Sequence, residues 1–470
     1  MERMAAGGAI RIVSPVDGRV YAERGLLDGN ALEWAVALAR AAQPAWRHRP
    51  ISERAAICSA AVDAMLAMTG EIVPELAWQM GRPVGAGGGE MKGFEERARH
   101  MIAVAEAALA PIEPQAKAGF RRYVVREPLG VVLVVAPWNY PYLTAVNAVI
   151  PALMAGNAVL LKPASQTFLT GDRFKAAFER AGLPEGLFQP LALDHGMTER
   201  LIASGRVDHV GFTGSVDGGR RIEAAASGTF KGVGLELGGK DPAYVRADAD
   251  LALAVEGLVD GAFFNAGQSC CAIERIYVDR AVFEPFIGAF VEATKGHVLG
   301  SPLDEATTLG PMVRASAADF VRGQVAEAVA AGARALIDPK GFPADAAGSP
   351  YMAPQVLIDV DHDMRVMKEE SFGPVVGIMP VADEAEAVAL MNDSPYGLTA
   401  SVWTTDLEAA ERIGAALDTG TVFMNRCDYL DPGLAWTGTK DSGRGATLSV
   451  VGYAHLTRPK SFHLRHGATP

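Results

Sequence analysis

Short apolar runs that alternate with helical segments are the sequence feature that most constrains the fold of this chain. Residues 131–135 read VVLVV, which is typical of a strand buried on both faces of a parallel sheet. The next segments predict a crossover helix at 145–154 and a second buried strand at 158–161. Strands that alternate with helices in this way predict a doubly wound α/β sheet.

The remainder of the chain follows related patterns. Residues 31–108 carry apolar side chains at three- and four-residue spacing, which predicts helices, and we interpret the glycine run at 85–89 as a flexible connector. Further strands are predicted at 121–126, 207–212, 273–278, 375–379, 401–403 and 461–465. Further helices are predicted at 172–181, 282–294 and 316–331, the last with Ser316 as its N-cap.

Length, charge and cysteine content exclude several classes of protein. A chain of 470 residues is long enough for roughly three domains. Lys plus Arg number 43 against 55 Asp plus Glu, a net charge of −12, so the basic face of a nucleic-acid-binding protein is not expected. Four cysteines are too few for a disulfide framework. Without a signal-peptide core or an apolar run of ~20 residues, we expect a soluble cytoplasmic protein with no membrane partner.

Two adjacent thiols are the first candidates for chemistry. Cys270 and Cys271 lie between a predicted helix and a predicted strand, where a turn can present sulfur to a cleft. A thiol with an ordinary pKa needs activation before it attacks a carbonyl carbon. The alternative is that the pair is buried core, as we expect for Cys58 on its helical face.

A carboxylate and an amide are the next candidates. Glu236 lies between two leucines and before paired glycines, and partial burial there would suit it to general-base work. It could instead pair with Lys240 or cap a turn. Asn139 follows the strand predicted at 131–135, at the carboxyl end where ligands bind in such sheets. Its side chain could donate to an oxyanion or merely cap a turn.

Three further segments could bind a cofactor. Lys162 ends one predicted strand, and Gly214 and Ser215 end another just before a helix that starts near Val216. The N-terminus of that helix offers free N–H groups to a phosphate, although neither GxGxxG nor a Walker A motif follows a strand. Glu370, beside an aromatic in the segment 368–374, could hold a ribose diol or could belong to a charged turn.

Together these segments resemble the aldehyde dehydrogenase superfamily, of the NAD(P)-dependent hydrolytic type. The resemblance spans nearly the whole chain and rests on seven motifs in the family's order: PWN, KP, FTGS, ELGGKDP, NAGQSC, EESFGP and GTKDSG. Glu236 and Cys270, the residues in the two catalytic motifs, are 34 positions apart, which suits the family.

The resemblance implies a role for each matched residue. Cys270 resembles the nucleophile, with Cys271 as its neighbour, Glu236 the general base, and Asn139 an oxyanion donor together with the Cys270 backbone N–H. The implied product is a carboxylic acid, formed by hydrolysis of a Cys270 thioester, and no metal is implied. The implied NAD or NADP contacts are Lys162 and Ser165 at the adenine ribose, Gly214 and Ser215 at the pyrophosphate, Glu370 at the nicotinamide ribose, and Phe372 and Trp138 nearby.

The chain departs from the family pattern at two places. The family often has Lys-Pro-Ser-Glu where Lys162-Pro163-Ala164-Ser165 stands here, and a missing carboxylate removes repulsion of a 2′-phosphate. We therefore expect NADP to be accepted or even preferred, with NAD still possible. Near the C-terminus, the family's usual Phe-Gly-Gly-like stretch is replaced by Ala-Trp-Thr-Gly at 435–438. The implied substrate pocket comprises Tyr140, Phe264, Cys271, Arg426, Tyr429 and Trp436.

The substrate stays open at this point. The aromatics near the implied tunnel could form a cage for a cationic amino aldehyde. Plain apolar lining for an aliphatic or aryl aldehyde is equally consistent with the sequence, and Arg426 could instead bind an acidic semialdehyde.

The resemblance implies three structural parts and an oligomer. These are an NAD(P)-binding domain at 1–109 and 127–238, a second α/β catalytic domain at 239–438, and a small β oligomerisation element at 110–126 and 439–470. Exposed strand edges of this kind tend to be covered, so we expect a homodimer or a homotetramer. A coenzyme A-acylating relative and a catalytically silent one are the alternatives; the intact Glu236 favours water as acceptor.

Overall fold

Four helices precede the first large sheet, as the apolar spacing predicts. The computed structural model describes residues 8–466. Residues 1–7 and 467–470 lie outside it. They include the ends of two predicted domain ranges and the start of the segment that we judged not to be a signal peptide. The first elements are β1 (Ala9–Val13), β2 (Val20–Gly25), α1 (Gly29–Arg47), α2 (Ile51–Leu66), α3 (Thr69–Met80) and α4 (Val84–Leu109).

Two local predictions in the helical segments are wrong. The glycine run at 85–89 lies inside α4 instead of forming a connector. An added Cβ at Gly87 would come within 2.6 Å of Val73, so glycine here permits close packing of two helices. Ser316 is not an N-cap, because the helix predicted there begins at Ala315 and is preceded by Arg314.

The first large sheet is doubly wound, as predicted. Its strands lie in the order β18 (Gly443–Arg444), β8 (Gly232–Glu236), β7 (His209–Thr213), β4 (Val131–Val135), β5 (Ala158–Lys162) and β6 (Phe188–Pro190), with β18 antiparallel and the others parallel. The chain runs outward from β4 to β6 and then returns to β7 on the other side, which creates a switch point between β4 and β7. The helices that connect these strands are α5 (Pro141–Met154), α6 (Leu169–Arg180), α7 (His195–Ala203) and α8 (Val216–Ala226), whereas β3 (Phe120–Pro128) precedes β4 and lies outside this sheet.

A second sheet with the order β11-β12-β13-β10-β9-β15-β16 forms from the next part of the chain. All of its pairs are parallel except β11 with β12. This part of the chain comprises β9 (Asp241–Val245), α9 (Leu251–Phe263), β10 (Ile273–Asp279), α10 (Phe283–Lys295), α11 (Ala315–Ala330), β11 (Arg334–Ala335), β12 (Gln355–Ile358), α12 (Arg365–Lys368), β13 (Val375–Val381), α13 (Glu384–Asn392), β15 (Thr399–Trp403), α14 (Leu407–Ala416) and β16 (Thr421–Met424). The short strand β14 (Tyr396–Gly397) lies between α13 and β15 but outside this sheet.

The last elements return to earlier parts of the molecule. They are β17 (Thr439–Lys440), which pairs with β14, β18 (Gly443–Arg444), which pairs with β8, and β19 (Thr457–Arg465). The strand β19 pairs with β3 along nine residues, from Phe120↔Arg465 to Thr457↔Pro128, as a separate two-stranded ribbon. The assignment of this ribbon to an oligomer contact stays a prediction, as do the domain limits.

The two large sheets meet where the candidate residues lie. Asn139, Gly214 and Glu236 follow or end strands of the first sheet, whereas Cys270 and Glu370 come just before the strands β10 and β13 of the second. The carboxyl edge of one sheet therefore faces the amino edge of the other, and loops from both edges share one cleft. Within residues 8–466 no single helix has the length and apolar character of a membrane span, although the bent pair α2 and α3 would satisfy both together.

Candidate active site

Cys270 is the accessible member of the thiol pair. It lies on the turn between α9 and β10 and is partly exposed, whereas Cys271 is only 2% exposed. Three successive left-handed residues make the turn, with φ of 54° at Asn265, 56° at Ala266 and 68° at Gly267. A side chain at Gly267 would strike the carbonyl group of Gly373. The local backbone therefore presents one sulfur to the cleft and packs the other inward.

The Cys271 thiol is hydrogen-bonded to the carboxylate of Asp428, a residue that the sequence analysis did not single out. Its Sγ donates to Asp428 Oδ1 at 2.8 Å, and Ser269 Oγ donates to the same oxygen at 3.0 Å. The pKa of the Cys271 thiol is raised, mainly by its hydrogen bond with Cys270 and secondly by burial. Cys271 is thus held as a neutral neighbour of the exposed thiol.

Asn139 reaches across the cleft to the turn that carries Cys270. Its side chain is 4% exposed and donates from Nδ2 to the carbonyl oxygen of Gln268 at 3.1 Å. Asn265 Nδ2 donates to the same carbonyl at 3.2 Å. An amide nitrogen carries two hydrogens, so Asn139 has a second donor for a ligand near Cys270. The hydrogen bond to Gln268 therefore explains the burial of Asn139 without the alternative in which Asn139 caps a turn.

Glu236 is held by two hydroxyl groups and not by a cation. Thr213 Oγ1 donates to one carboxylate oxygen at 3.0 Å and Thr447 Oγ1 to the other at 2.5 Å. Burial raises the pKa of Glu236, and the two threonine hydrogen bonds oppose that rise. Lys240 pairs instead with Glu274, so the alternative in which Lys240 neutralises Glu236 is wrong. A carboxylate with a raised pKa is a stronger proton acceptor than an exposed one.

The segment that carries Glu370 and Phe372 is anchored by a buried ion pair. Glu274 accepts the backbone N–H groups of Ser371 at 2.8 Å and Phe372 at 2.9 Å, and it pairs with Lys240. Glu370 accepts the N–H of Gly239 at 2.9 Å, and burial raises the pKa of its carboxyl to about 8.

Several of the predicted cofactor residues lie around the switch point. The rings of Trp138 and Phe372 meet edge to face with centroids 5.6 Å apart. Ser215 caps α8 by accepting the N–H of Gly218 at 3.1 Å, as expected for a helix that starts at Val216. Lys162, at the end of β5, is 6% exposed, and burial lowers its pKa. The N-terminus of α8 and the buried ammonium group of Lys162 are both favourable neighbours for the phosphates of a dinucleotide.

The residues predicted for the substrate pocket fall into different environments. Tyr140 stacks under a guanidinium, with the carbon of Arg82 at 4.3 Å from its ring centroid. Arg426 lies 3.5 Å from the Tyr429 centroid, so that face of Tyr429 is already covered by a cation. Trp436 is 5% exposed, and its backbone pairs with that of Thr447. Phe264, which follows α9, is partly buried.

Sequence reasoning missed the residues that support this site. They include a buried pair at the start of α4, two residues of the nucleophile turn, two threonines and an aspartate: Arg82, Glu90, Asn265, Gln268, Thr213, Thr447 and Asp428. Asn265 and Gln268 belong to the NAGQSC motif that was recognised, so the motif could have identified them. Thr213 likewise belongs to the recognised FTGS motif. Arg82, Glu90, Thr447 and Asp428 carry no local signal, because the groups that they hold are distant in the sequence. Among residues 8–466, no group of three His, Cys, Asp or Glu side chains could hold a metal.

The chain is similar in sequence and in fold to proteins that are already known. Residues 3–462 match the model described as "Aldehyde dehydrogenase family". The chain is 35% identical to betaine aldehyde dehydrogenase 1 of Rhizobium meliloti, over 98% of this chain and 95% of that protein. It is 33% identical to an Escherichia coli succinate semialdehyde dehydrogenase [NAD(P)+], over 94% of each. An NADP-dependent glyceraldehyde-3-phosphate dehydrogenase of Bacillus halodurans, solved with NADP, superposes with a TM-score of 0.92 at 33% identity, over 98% of this chain and 96% of that one.

Proposed function

The chain belongs to the aldehyde dehydrogenase family, and from that premise we propose that it oxidises an aldehyde to a carboxylic acid through a thioester on Cys270. NAD(P) is the cofactor. The observation that carries the proposal is the hydrogen bond of 3.1 Å from Asn139 Nδ2 to Gln268 O. It joins an oxyanion donor from one sheet to the nucleophile turn of the other.

The first chemical stage uses Cys270 and Asn139. The sulfur adds to the aldehyde carbon, and the oxygen that becomes negative accepts a hydrogen bond from the second Asn139 hydrogen and from the Cys270 N–H. A bound NAD(P)+ would supply the acceptor for the hydride that the tetrahedral carbon releases. The product on the protein is a Cys270 thioester.

The second stage uses Glu236. Its carboxylate takes a proton from a water molecule, which then attacks the thioester carbon and releases the acid. A cavity lined by Asn147, His209 and Glu236 lies behind the carboxylate. Asn147 Nδ2 is buried there with no partner among the described residues, so the cavity suits a water molecule. This carboxylate favours water over coenzyme A as the acyl acceptor.

A screen with NAD and NADP against aliphatic, aromatic, amino and carboxy aldehydes tests this proposal. Growth of reduced-nicotinamide absorbance with carboxylate release and without coenzyme A supports it, whereas an absolute requirement for coenzyme A or phosphate contradicts hydrolysis. The two curated relatives are named for substrates of opposite charge, so the proposal extends only to an aldehyde. Cytoplasmic location and a homodimer or homotetramer stay predictions.

Ser165→Glu is expected to discriminate against NADP. The seryl position follows Lys162 at the end of β5, and a carboxylate there would repel a 2′-phosphate while accepting a ribose hydroxyl. We expect kcat/KM with NADP to fall about 10- to 100-fold and kcat/KM with NAD to be kept. Steady-state kinetics with both cofactors measure this. Ser227→Glu, which makes an equal charge change at the end of α8, is the control. Equal losses of kcat/KM with both cofactors would contradict the assignment of Ser165 to the adenine ribose. A parent enzyme that excludes NADP would contradict it as well.

Glu370→Gln is expected to flatten the pH dependence of stability in the cofactor-free protein. The folded pKa is raised from 4.5 to about 8, so between those values the folded protein retains a proton that the unfolded chain has released. Stability therefore falls as pH rises across that window. At pH values above it the variant should be more stable than the parent by about 1–3 kcal/mol, with a higher KM for NAD(P). Urea unfolding at several pH values measures the first effect; parallel curves for the two proteins would show that Glu370 titrates normally.

A further inference from the structure

We propose that Arg82 is a positioning residue that fixes the oxyanion donor Asn139 against the nucleophile turn. The inference rests on the proposed function, because it assigns Asn139 and Cys270 the roles given above. Arg82 lies in the loop between α3 and α4 and is 1% exposed. It would therefore act on catalysis through its neighbours.

The guanidinium of Arg82 binds three groups at once. Nη2 donates to the backbone carbonyl of Asn139, Nε donates to Asn265 Oδ1 at 3.4 Å, and Nη1 pairs with Glu90. Its carbon lies 4.3 Å from the ring centroid of Tyr140, the residue after Asn139. One planar cation thus contacts both loops whose separation sets the oxyanion site.

Glu90 extends this restraint to the helix that follows Asn139. Glu90 is 2% exposed, and its second carboxylate oxygen accepts the N–H of Tyr142 at 2.8 Å and that of Leu143 at 3.3 Å. Those N–H groups belong to the first turn of α5. The buried pair therefore holds the Asn139 peptide from one side and the start of the following helix from the other.

Asn265 completes the link to Cys270. Its Nδ2 donates to the carbonyls of Asn139 at 3.4 Å and Gln268 at 3.2 Å, while its Oδ1 accepts from Arg82. Gln268 is also the acceptor of the Asn139 side chain. A lysine at position 82 would keep the charge beside Glu90 but carries its donors on one atom, so it cannot reproduce the three-way fork. The donor geometry at Asn139 should then loosen.

Two reactions of Cys270 separate positioning from folding. Acylation by p-nitrophenyl acetate forms an S–C bond, passes through an oxyanion and expels p-nitrophenolate, so it needs the Asn139 donor. Alkylation by iodoacetamide forms an S–C bond with loss of iodide and creates no oxyanion. Neither reaction needs the cofactor or an aldehyde, so the test stands even if no aldehyde is turned over.

For Arg82→Lys we expect the acylation rate to fall about 10- to 100-fold, with the alkylation rate unchanged. In an Asn139→Ala background the same substitution should have no further effect on acylation, because its route of action is already removed. Arg54→Lys is the matched control: Arg54 is also buried and donates only to the carbonyls of Arg47 and Arg49. Its acylation rate should equal that of the parent.

Two results would overturn the inference. Acylation of Arg82→Lys at the parental rate would show that Asn139 is positioned without Arg82. A parallel loss of acylation and alkylation, or additive effects of the two substitutions, would assign Arg82 to general folding instead.

Discussion

Cys270→Ser is expected to abolish aldehyde oxidation, with a loss of about 10⁴-fold or more in kcat. The substitution keeps a side chain of similar size on the same turn, so it removes the nucleophilic sulfur while disturbing the packing little. A serine hydroxyl is a far weaker nucleophile than a thiol unless a base activates it. Reduced-nicotinamide formation and the p-nitrophenolate burst should both disappear, while the unfolding midpoint in urea stays at the parental value.

Cys427→Ser is the matched control for that loss. The Cys427 thiol donates to the carbonyl of Gly257 at 3.3 Å, a hydrogen bond that a serine hydroxyl can also make. The Cys427→Ser variant should therefore have the parental activity. If Cys270→Ser retained the burst and Cys271→Ser lost it, the assignment of the nucleophile would be wrong. The structure argues against that result because the Cys271 sulfur is buried and donates to Asp428.

The parts of the fold that sequence predicts are those with a strong local pattern. The apolar run at 131–135 coincides with β4, which is buried along its whole length, because a strand covered on both faces leaves no place for a polar residue. The strands β11, β14, β17 and β18 have two residues each, too few to create any periodicity. The glycine run inside α4 was misjudged because the close approach of Val73 that explains Gly87 is a tertiary contact.

The residues of the site likewise differ in whether the sequence alone can predict them. Residues inside short motifs, such as Asn139 and Cys270, could be identified because the chemistry fixes their neighbours along the chain. Arg82 and Glu90 could not be, since charged residues in a helical segment are usually solvated, and only the fold brings Arg82 to a carbonyl 57 positions away. Buried polar groups that hold a catalytic residue in place are specified by three-dimensional contacts and leave no pattern in a single sequence.

Two carboxylates of this region have different hydrogen-bond partners and so suit different tasks. Glu236 has only hydroxyl donors at its oxygens, whereas Glu274 is paired with Lys240 and accepts two backbone N–H groups. The second arrangement fixes the backbone of Ser371 and Phe372 and suits a structural anchor. The first leaves the carboxylate ready to take a proton, which is the property that the hydrolytic stage requires.

Glu236→Gln should therefore stop the reaction after one turnover. The amide keeps the size of the side chain and can still bond to Thr213 and Thr447, but it cannot accept a proton from water. We expect a burst of reduced nicotinamide close to one equivalent per active site, followed by a steady rate about 10²- to 10⁴-fold below the parental value. Rapid-mixing absorbance measures the burst, and mass spectrometry of the quenched protein should find the acyl group on Cys270.

The burst distinguishes a deacylation base from a group that activates Cys270. If Glu236 served the thiol, the substitution would remove the burst itself, and the acyl-enzyme would not accumulate. Adding hydroxylamine, which attacks thioesters without needing a base of the protein, should restore turnover in the variant if the block lies at hydrolysis. The matched control is Glu223→Gln, an exposed glutamate on α8 that contacts Arg444, for which burst and steady rate should stay parental. A Glu236→Gln variant that keeps the parental steady rate would contradict the role of this carboxylate.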